Sequence, residues 1–535
     1  MFSFLFFLFI FAWLFFYFKK SLFLFYLWQI KEFRKDRFLS EVKKKKGIIL
    51  SKKDLFSLLV LIFCFLLSFF NLKISLLTLL LYYPLLFLIC LSKKIIFKIK
   101  RPILTKKTFL LISLFYFFSF LAVLKLYSFS QKTFILSLFI YEIFLFFPIF
   151  LWVLIFASFN YLLKEIKFFR ARKKREKFKK LIVIGITGSY GKTSTKEFLA
   201  TLLEEKFGKE KVLKTEKNEN TEISIANLIL NKLKEEHKFL VVEIGAYQVG
   251  EIKKVMSFLN PQIGVLTGIS SQHLELFGSL EKIKKAKSEI VFNLPKNGLA
   301  VFNGSNKEVY QIAKNFSFRK KIISSFEKKQ GVDLWAENVE VNKNFLSFDL
   351  KKEKESVKIK LNLLGKQSGE NFLTASAVAL SLGLKLKEIK EIAPKILPAF
   401  SIMKKNTLKN GLIIIDDTYN LNFEGIIEAL RYLNNYQKKK ILIMPCLIEL
   451  GPLNKEIHQK IGEKIKDICH LAIILESDCF AFIKEKGKEK IKLASSLTEI
   501  ENLLKKENLE SGDVILLEGR IKFKRKIVDF LESEF

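Results

Sequence analysis

The stretch LIVIGITGSYGKTSTKEFLATLL at residues 181–203 constrains this chain more than any other part of it. An apolar run rich in Ile and Val leads into a glycine-bearing turn. Lys192 and Thr193 close the turn, and a helix-compatible segment follows. Strand, turn and helix in that order build a phosphate cradle. The glycines let backbone N–H groups approach an anion, the lysine supplies a point charge, and the threonine hydroxyl can reach Mg²⁺. The loop runs Thr187, Gly188, Ser189, Tyr190, Gly191, Lys192, Thr193, Ser194. It departs from the common eight-residue form, because Gly185 stands one position early and Ile186 holds the expected place.

From residue 181 onward, short apolar runs alternate with amphipathic segments. The runs at 181–186, 239–244, 263–267, 299–303, 412–416, 440–445 and 514–518 read as strands. This rhythm predicts a doubly wound, mostly parallel α/β sheet. Residues 333–364 alternate with period two and read as a small antiparallel meander. A second strand-rich block begins near 411, after Pro394 and Pro398. The soluble part therefore divides into a central phosphate-loop domain at 181–399 and a C-terminal Rossmann-like α/β domain at 400–535.

Residues 1–163 have a different character and read as an α-helical membrane region. Apolar spans fall at about 2–18, 55–72, 75–92, 108–128 and 133–160, each near the roughly 20 residues that cross a bilayer core. The first breaks at Lys19-Lys20. No small-residue cleavage site follows it, which argues against a signal peptide. Residues 1–180 carry 32 Lys+Arg against 7 Asp+Glu, a net +25 of the chain's +37. Segments 31–53, 93–107 and 164–180 are dense in Lys and Arg, whereas the turns near 72–75 and 129–132 hold one Lys each. The positive-inside rule then expects a multi-pass protein of the cell membrane, its N-terminus outside and its catalytic domains cytoplasmic. The basic linker 164–180 would face membrane lipid. Glu142, the one acid within a span, reads either as a functional carboxylate or as one packed against Tyr141. The lysine excess and 57 Phe suit an AT-rich genome, and no basic stripe with interleaved aromatics points to nucleic acid. The five cysteines show no paired metal spacing, and a disulfide framework is not expected.

The string TGSYGKTSTKE has companions in a fixed order. VVEIGAYQVGEI (241–252), SSQHLELFGSLEKIKKAKSEI (270–290), LLGKQSGENFLTASAVAL (363–380) and IIIDDTYNLNFEGI (413–426) follow it, with ELG at 449–451 and then His458. Together they resemble the Mur ligase family over residues 181–535. Members join amino acids or peptides to cell-wall precursors using ATP. The closest likeness is to the branch that adds D-alanyl-D-alanine to a UDP-linked muramoyl tripeptide.

The resemblance implies roles residue by residue. A substrate carboxylate takes the γ-phosphoryl group of ATP to form an acyl phosphate, and an amine then displaces phosphate. Lys192 would hold the β- and γ-phosphates. Thr193 and Glu243 would hold one Mg²⁺, and His273 a second. Lys287 matches the lysine that the family carbamylates, which turns a cation into a carboxylate-like metal ligand. Asn371 would contact the adenine and Asp417 the ribose, with Asn220 and Asn303 at further nucleotide positions. Tyr419, Asn420 and Asn422 fall in a loop expected to close over the site.

Three departures stand out. Gln367-Ser368 replace the family's His-Asn, PAFSIM (398–403) lacks the usual arginine, and Phe423 follows Asn422 where proline is usual. Apolar spans also occupy the place of the family's UDP-holding domain. The expected function is therefore an ATP-dependent peptide ligase of peptidoglycan precursor synthesis at the membrane. Its partners would be membrane lipid, a muropeptide-like acceptor that could be lipid-linked, and an amine donor like D-Ala-D-Ala. The alternatives are a related ligase on a non-murein polymer or polyglutamate, and a nucleotide-gated transporter or sensor. The transporter fits less well, because the spans lack paired charges and obvious repeats.

Overall fold

Apolar helices come first in the chain and two sheets follow. The computed structural model describes residues 2–30, 33, 38–39, 55–60, 62–63, 72–92, 101–129, 134–217, 219–317, 319–398, 403–419 and 421–535. The chain divides into two units, Met1–Ile166 and Lys167–Phe535.

The first unit holds α1 (Phe2–Ile30), α2 (Leu72–Ser92), α3 (Lys106–Phe129), α4 (Phe134–Ile143) and the start of α5 (Phe146–Glu176). Among the described residues three helical stretches are long and apolar enough to cross a membrane: Phe6–Ile30, Lys106–Lys125 and Phe146–Glu176. Two sequence expectations need correction. Lys19-Lys20 does not end the first helix, because Lys20 finds acceptors. Its Nζ donates to the carbonyls of Glu142 (3.1 Å) and Ile143 (2.8 Å), the last of α4, groups that a helix C-terminus leaves without intrahelical partners. Residues 133–160 are not one span either. The helix breaks at Phe144–Leu145, and Pro148 then sits in the first turn of α5, where its missing N–H costs nothing. Half of the expected span 55–72, residues 61 and 64–71, lies outside the described residues. The basic segment 164–180 is helical over most of its length, since α5 continues to Glu176.

The second unit contains two sheets. The larger has nine strands in the order β2-β3-β1-β4-β5-β6-β7-β8-β9. Its parallel part comprises β1 (Ile182–Thr187), β2 (Val212–Lys214), β3 (Phe239–Glu243), β4 (Ile263–Leu266), β5 (Leu299–Asn303) and β6 (Lys320–Ser325), and β7 (Leu334–Val341) joins it in parallel. β8 (Leu346–Lys352) and β9 (Glu355–Leu361) extend the edge antiparallel, so the expected meander belongs to the main sheet. α6 (Lys192–Phe207), α7 (Leu280–Phe292) and α8 (Lys366–Ser381) follow the strands that carry the motifs. The second sheet runs β10-β11-β15-β12-β13-β14, with only β10 (Lys404–Thr407) antiparallel. Its other strands are β11 (Ile413–Asp417), β12 (Lys440–Met444), β13 (Leu471–Ile474), β14 (Ile491–Leu493) and β15 (Val514–Glu518). α9 (Phe423–Leu433) and α10 (Asn454–Ile468) pack on this sheet's apolar core.

Both topologies place a crevice. In the first sheet the chain steps from β1 to β3 on one side and returns to β4 on the other. In the second, β15 inserts between β11 and β12. Ligands of open α/β sheets bind outside the carboxyl ends of strands at such reversals. Those ends carry the phosphate loop after β1, Glu243 at the end of β3 and Asp417 at the end of β11. Among the described residues one disulfide, Cys446–Cys479, joins the loop after β12 to the helix Ser477–Gly487 that follows β13, with the Cα atoms 5.7 Å apart. The sequence offered no sign of it, since the two positions are 33 residues apart.

Candidate active site

A cleft of about 320 Å³ lies at these carboxyl ends and takes residues from both sheets. Its floor is the phosphate loop. Gly188 approaches β4 so closely that a Cβ there would stand 2.1 Å from Thr267 Oγ1. Gly191 has φ +78°, and a Cβ would meet Asn371 Oδ1 at 2.4 Å. Only glycine fits either place. α6 starts at Lys192, which aims the loop's backbone N–H groups and the positive end of the helix into the cleft. The Lys192 Nζ folds back on the loop, donating to Gly188 O (2.9 Å) and Ser189 O (3.1 Å). Burial holds its pKa below the usual lysine range, and Glu243 partly offsets this.

Glu243 is 7% exposed. Its Oε2 accepts from Thr193 Oγ1 at 2.8 Å and its Oε1 from Asn220 Nδ2 at 3.1 Å. A buried carboxylate beside a hydroxyl and phosphate-binding amides suits a hard divalent cation. Mg²⁺ is usually held by one or two carboxylates together with substrate phosphates and water. Among the described residues no three His, Cys, Asp or Glu side chains form a preassembled cage, so a cation here would depend on nucleotide oxygens.

Lys287 on α7 is 4% exposed, and its Nζ donates to Ala246 O at 2.9 Å. Burial first, and then the charge of Lys192, push its pKa down to about 7. Near neutral pH this amine is therefore partly uncharged and nucleophilic. His273 lies across the cleft in left-handed backbone conformation, with its ring edge-on to Tyr247 at 5.1 Å. Its Nδ1 is hydrogen-bonded to Glu449 of the second sheet.

Of the expected site residues, the cleft is lined by Gly188, Ser189, Tyr190, Gly191, Lys192, Thr193, Ser194, Asn220, Glu243, His273, Lys287, Asn371 and Asp417. Two do not line it. Thr187 is buried at the end of β1, where its hydroxyl donates to Ile244 O at 2.7 Å and braces β3. Asn303 is 1% exposed and its Oδ1 accepts the Ser305 N–H at 3.1 Å. It shapes the turn after β5, a local role that asparagine favours. Asn420 lies outside the described residues. Asn422 lines the cleft and also caps α9, accepting from Gly425 N–H at 2.9 Å.

The same order of motifs identifies relatives. Residues 186–379 match the Mur ligase middle domain and residues 400–521 the Mur ligase, glutamate ligase domain. A Bacillus subtilis UDP-N-acetylmuramoyl-tripeptide–D-alanyl-D-alanine ligase is 30% identical over 365 residues, which cover 66% of this chain and 76% of the relative. The chain belongs to the Mur ligase family.

The Escherichia coli ligase of the same name is 30% identical over 284 residues, covering 53% of this chain. The chain spans 62% of that relative and 61% of its Buchnera aphidicola counterpart, which is 34% identical over 281 residues. A solved structure of MurF ligase from Thermotoga maritima in complex with ADP has a TM-score of 0.60 and 26% identity, and covers 69% of this chain and 84% of that one. The fold is thus that of the Mur ligases, preceded by apolar helices.

Sequence reasoning did not single out several residues of this cleft. Arg520, Glu428 and Met403 line it; Met403 ends the PAFSIM segment, and the other two stand in segments without a distinctive pattern. Glu518 is fully buried and pairs in register with Asp417, and among the described residues neither of its oxygens has a hydrogen-bond partner. Burial, then Asp417 and Asp416, raise its pKa well above the carboxylate range, and Asp417 itself is pushed up to about 7. The sequence shows Glu518 only as the end of an apolar strand.

Proposed function

We propose that this chain is an ATP-dependent amide ligase of peptidoglycan precursor synthesis that adds D-alanyl-D-alanine, or a similar amine, to a muropeptide carboxylate. The reading rests on one observation above all. The phosphate loop, Glu243, His273, Lys287 and Asn371 meet in one cleft, and the second sheet closes that cleft with Asp417, Tyr419 and Arg520. The names of the relatives and the ADP-bound Thermotoga neighbour support it.

In this reading ATP supplies the phosphoryl group that activates the acceptor carboxylate. The loop N–H groups and Lys192 bind and orient phosphate oxygens and offset their charge. Thr193 and Glu243 would hold Mg²⁺, which would neutralise phosphate charge. His273 and a carbamylated Lys287 would hold a second Mg²⁺, which would offset charge on the reacting groups. Asn371 and Asp417 position the base and ribose. The active parts are a central domain at 181–399 and a C-terminal domain at 400–535. Residues 1–163 form a membrane anchor and 164–180 a basic, lipid-facing segment, with the ligase domains on the cytoplasmic side. The acceptor is then presented at the membrane as a lipid-linked muropeptide.

The test is phosphate release by the full-length protein in lipid nanodiscs. A ligase releases phosphate only when ATP, amine and acceptor are all present. Hydrolysis that ignores both the amine and the acceptor would overturn the reading in favour of a nucleotide-gated membrane function.

A further inference from the structure

His273, on the loop after β4, lines the cleft, and Glu449 reaches it from the loop after β12. Two bonds join the two loops. The His273 Nδ1 pairs with a Glu449 carboxylate oxygen, and the Glu275 N–H donates to the Glu449 carbonyl at 2.9 Å. Both residues hold left-handed backbone conformations, with φ +61° and +62°. Non-glycine residues keep that conformation only where their surroundings impose it.

The surroundings do so on both sides. On the Glu449 side, Leu447 N–H donates to His458 Nε2 at 3.2 Å, and His458, fully buried, donates through Nδ1 to Asn454 O at 2.8 Å. Cys446, three residues before Glu449, is held by the disulfide to Cys479 and by its N–H to Glu476 Oε2 at 3.2 Å. On the His273 side, the loop is tied to the phosphate loop. Ser189 N–H donates to Gly268 O at 2.6 Å, and Ser270 N–H donates to Ser189 Oγ at 3.2 Å. A continuous chain of bonds therefore runs from the phosphate loop through residues 268–275 to the second sheet.

We propose that Glu449 is a positioning residue that latches the C-terminal domain onto His273. A carboxylate oxygen accepts from a ring N–H, so this contact selects the Nδ1–H form of His273, and in the neutral ring the lone pair is then on Nε2. Carboxylates behind metal-binding histidines fix tautomer and ring direction in this way. Here the carboxylate comes from the other domain, so His273 is correctly set only when the cleft is closed. The kinetic part of this proposal rests on the ligase reading, whereas the latch itself does not.

The test compares Glu449→Ala, Glu449→Gln and His273→Ala in the full-length protein. Amide hydrogen exchange is followed with ADP bound. Glu449→Ala should speed exchange in the peptides covering 271–278 and 446–453 and leave the strands unchanged. Glu449→Gln, which keeps an oxygen acceptor, should exchange like the parent. In turnover, Glu449→Ala should lower kcat on the order of 10–100-fold with the ADP Kd unchanged. It should add nothing further in the His273→Ala background. Unchanged exchange in Glu449→Ala, or additive losses in the double variant, would overturn the latch. Absence of turnover in the parent protein would count against the ligase reading alone, because the exchange data would still decide the latch.

Discussion

At the scale of single residues, the cleft depends on two kinds of constraint, backbone room and shifted charge. Gly191 illustrates the first. Alanine there would combine a disfavoured φ of +78° with a Cβ 2.4 Å from Asn371 Oδ1. Left-handed backbone alone costs a non-glycine residue about 1–2 kcal/mol. Gly191→Ala should therefore weaken ADP binding by about tenfold or more in a calorimetric titration, with the nearby Asn371 displaced. Lys287 illustrates the second. Its pKa is lowered to about 7, so the neutral amine, the form that reacts with CO₂, grows as pH rises from 6 to 8. Carbamate occupancy, followed by ¹³C NMR with labelled bicarbonate, should rise through that window and fall on acidification. Lys287→Ala should lower turnover on the order of 100-fold or more, with partial recovery on adding short carboxylic acids. A carbamate signal that is the same at pH 6 and pH 8 would contradict the assignment.

At the scale of elements, the long buried strands were legible in the sequence and the short ones were not. All seven expected strands are present within one or two residues, because a parallel strand covered on both faces reads as an unbroken apolar run. β2, β13 and β14 have three or four residues each, too few to show a period, and β6 begins with two lysines. The meander was visible by its alternation, but not its attachment to the main sheet, since pairing between β6 and β7 is a tertiary fact. Phe348 of β8 is 1% exposed in the same core as Phe372 of α8 and Phe198 of α6. Phe348→Ala should therefore destabilise the phosphate-loop domain by about 3–5 kcal/mol, read as a lower denaturation midpoint that ADP partly restores. A loss below about 1 kcal/mol would mean that the meander is peripheral. For the site, motif residues at strand ends were legible because their chemistry is local. Asn303 and Thr187 lie behind the cleft lining, because a side chain's direction at a strand end is set by neighbouring strands. Glu449 was visible only as part of a motif, since its partner His273 is 176 residues away.

At the scale of the whole molecule, the chain combines apolar helices at its N-terminal end with a Mur ligase fold. Among the described residues three of those helices have the length and composition to cross a membrane, and the strongest basic bias lies beside them. If the acceptor is presented at the bilayer, lipid-linked muropeptide should be used in preference to its soluble UDP-linked counterpart. The most direct test of the account is the product itself. The full-length protein in nanodiscs is incubated with ATP, D-alanyl-D-alanine and each muropeptide, and the products are resolved by mass spectrometry. The account predicts a muropeptide extended by the dipeptide with loss of one water, formed only with ATP and abolished in Lys192→Ala. ATP consumption with no amide product from either acceptor would contradict it.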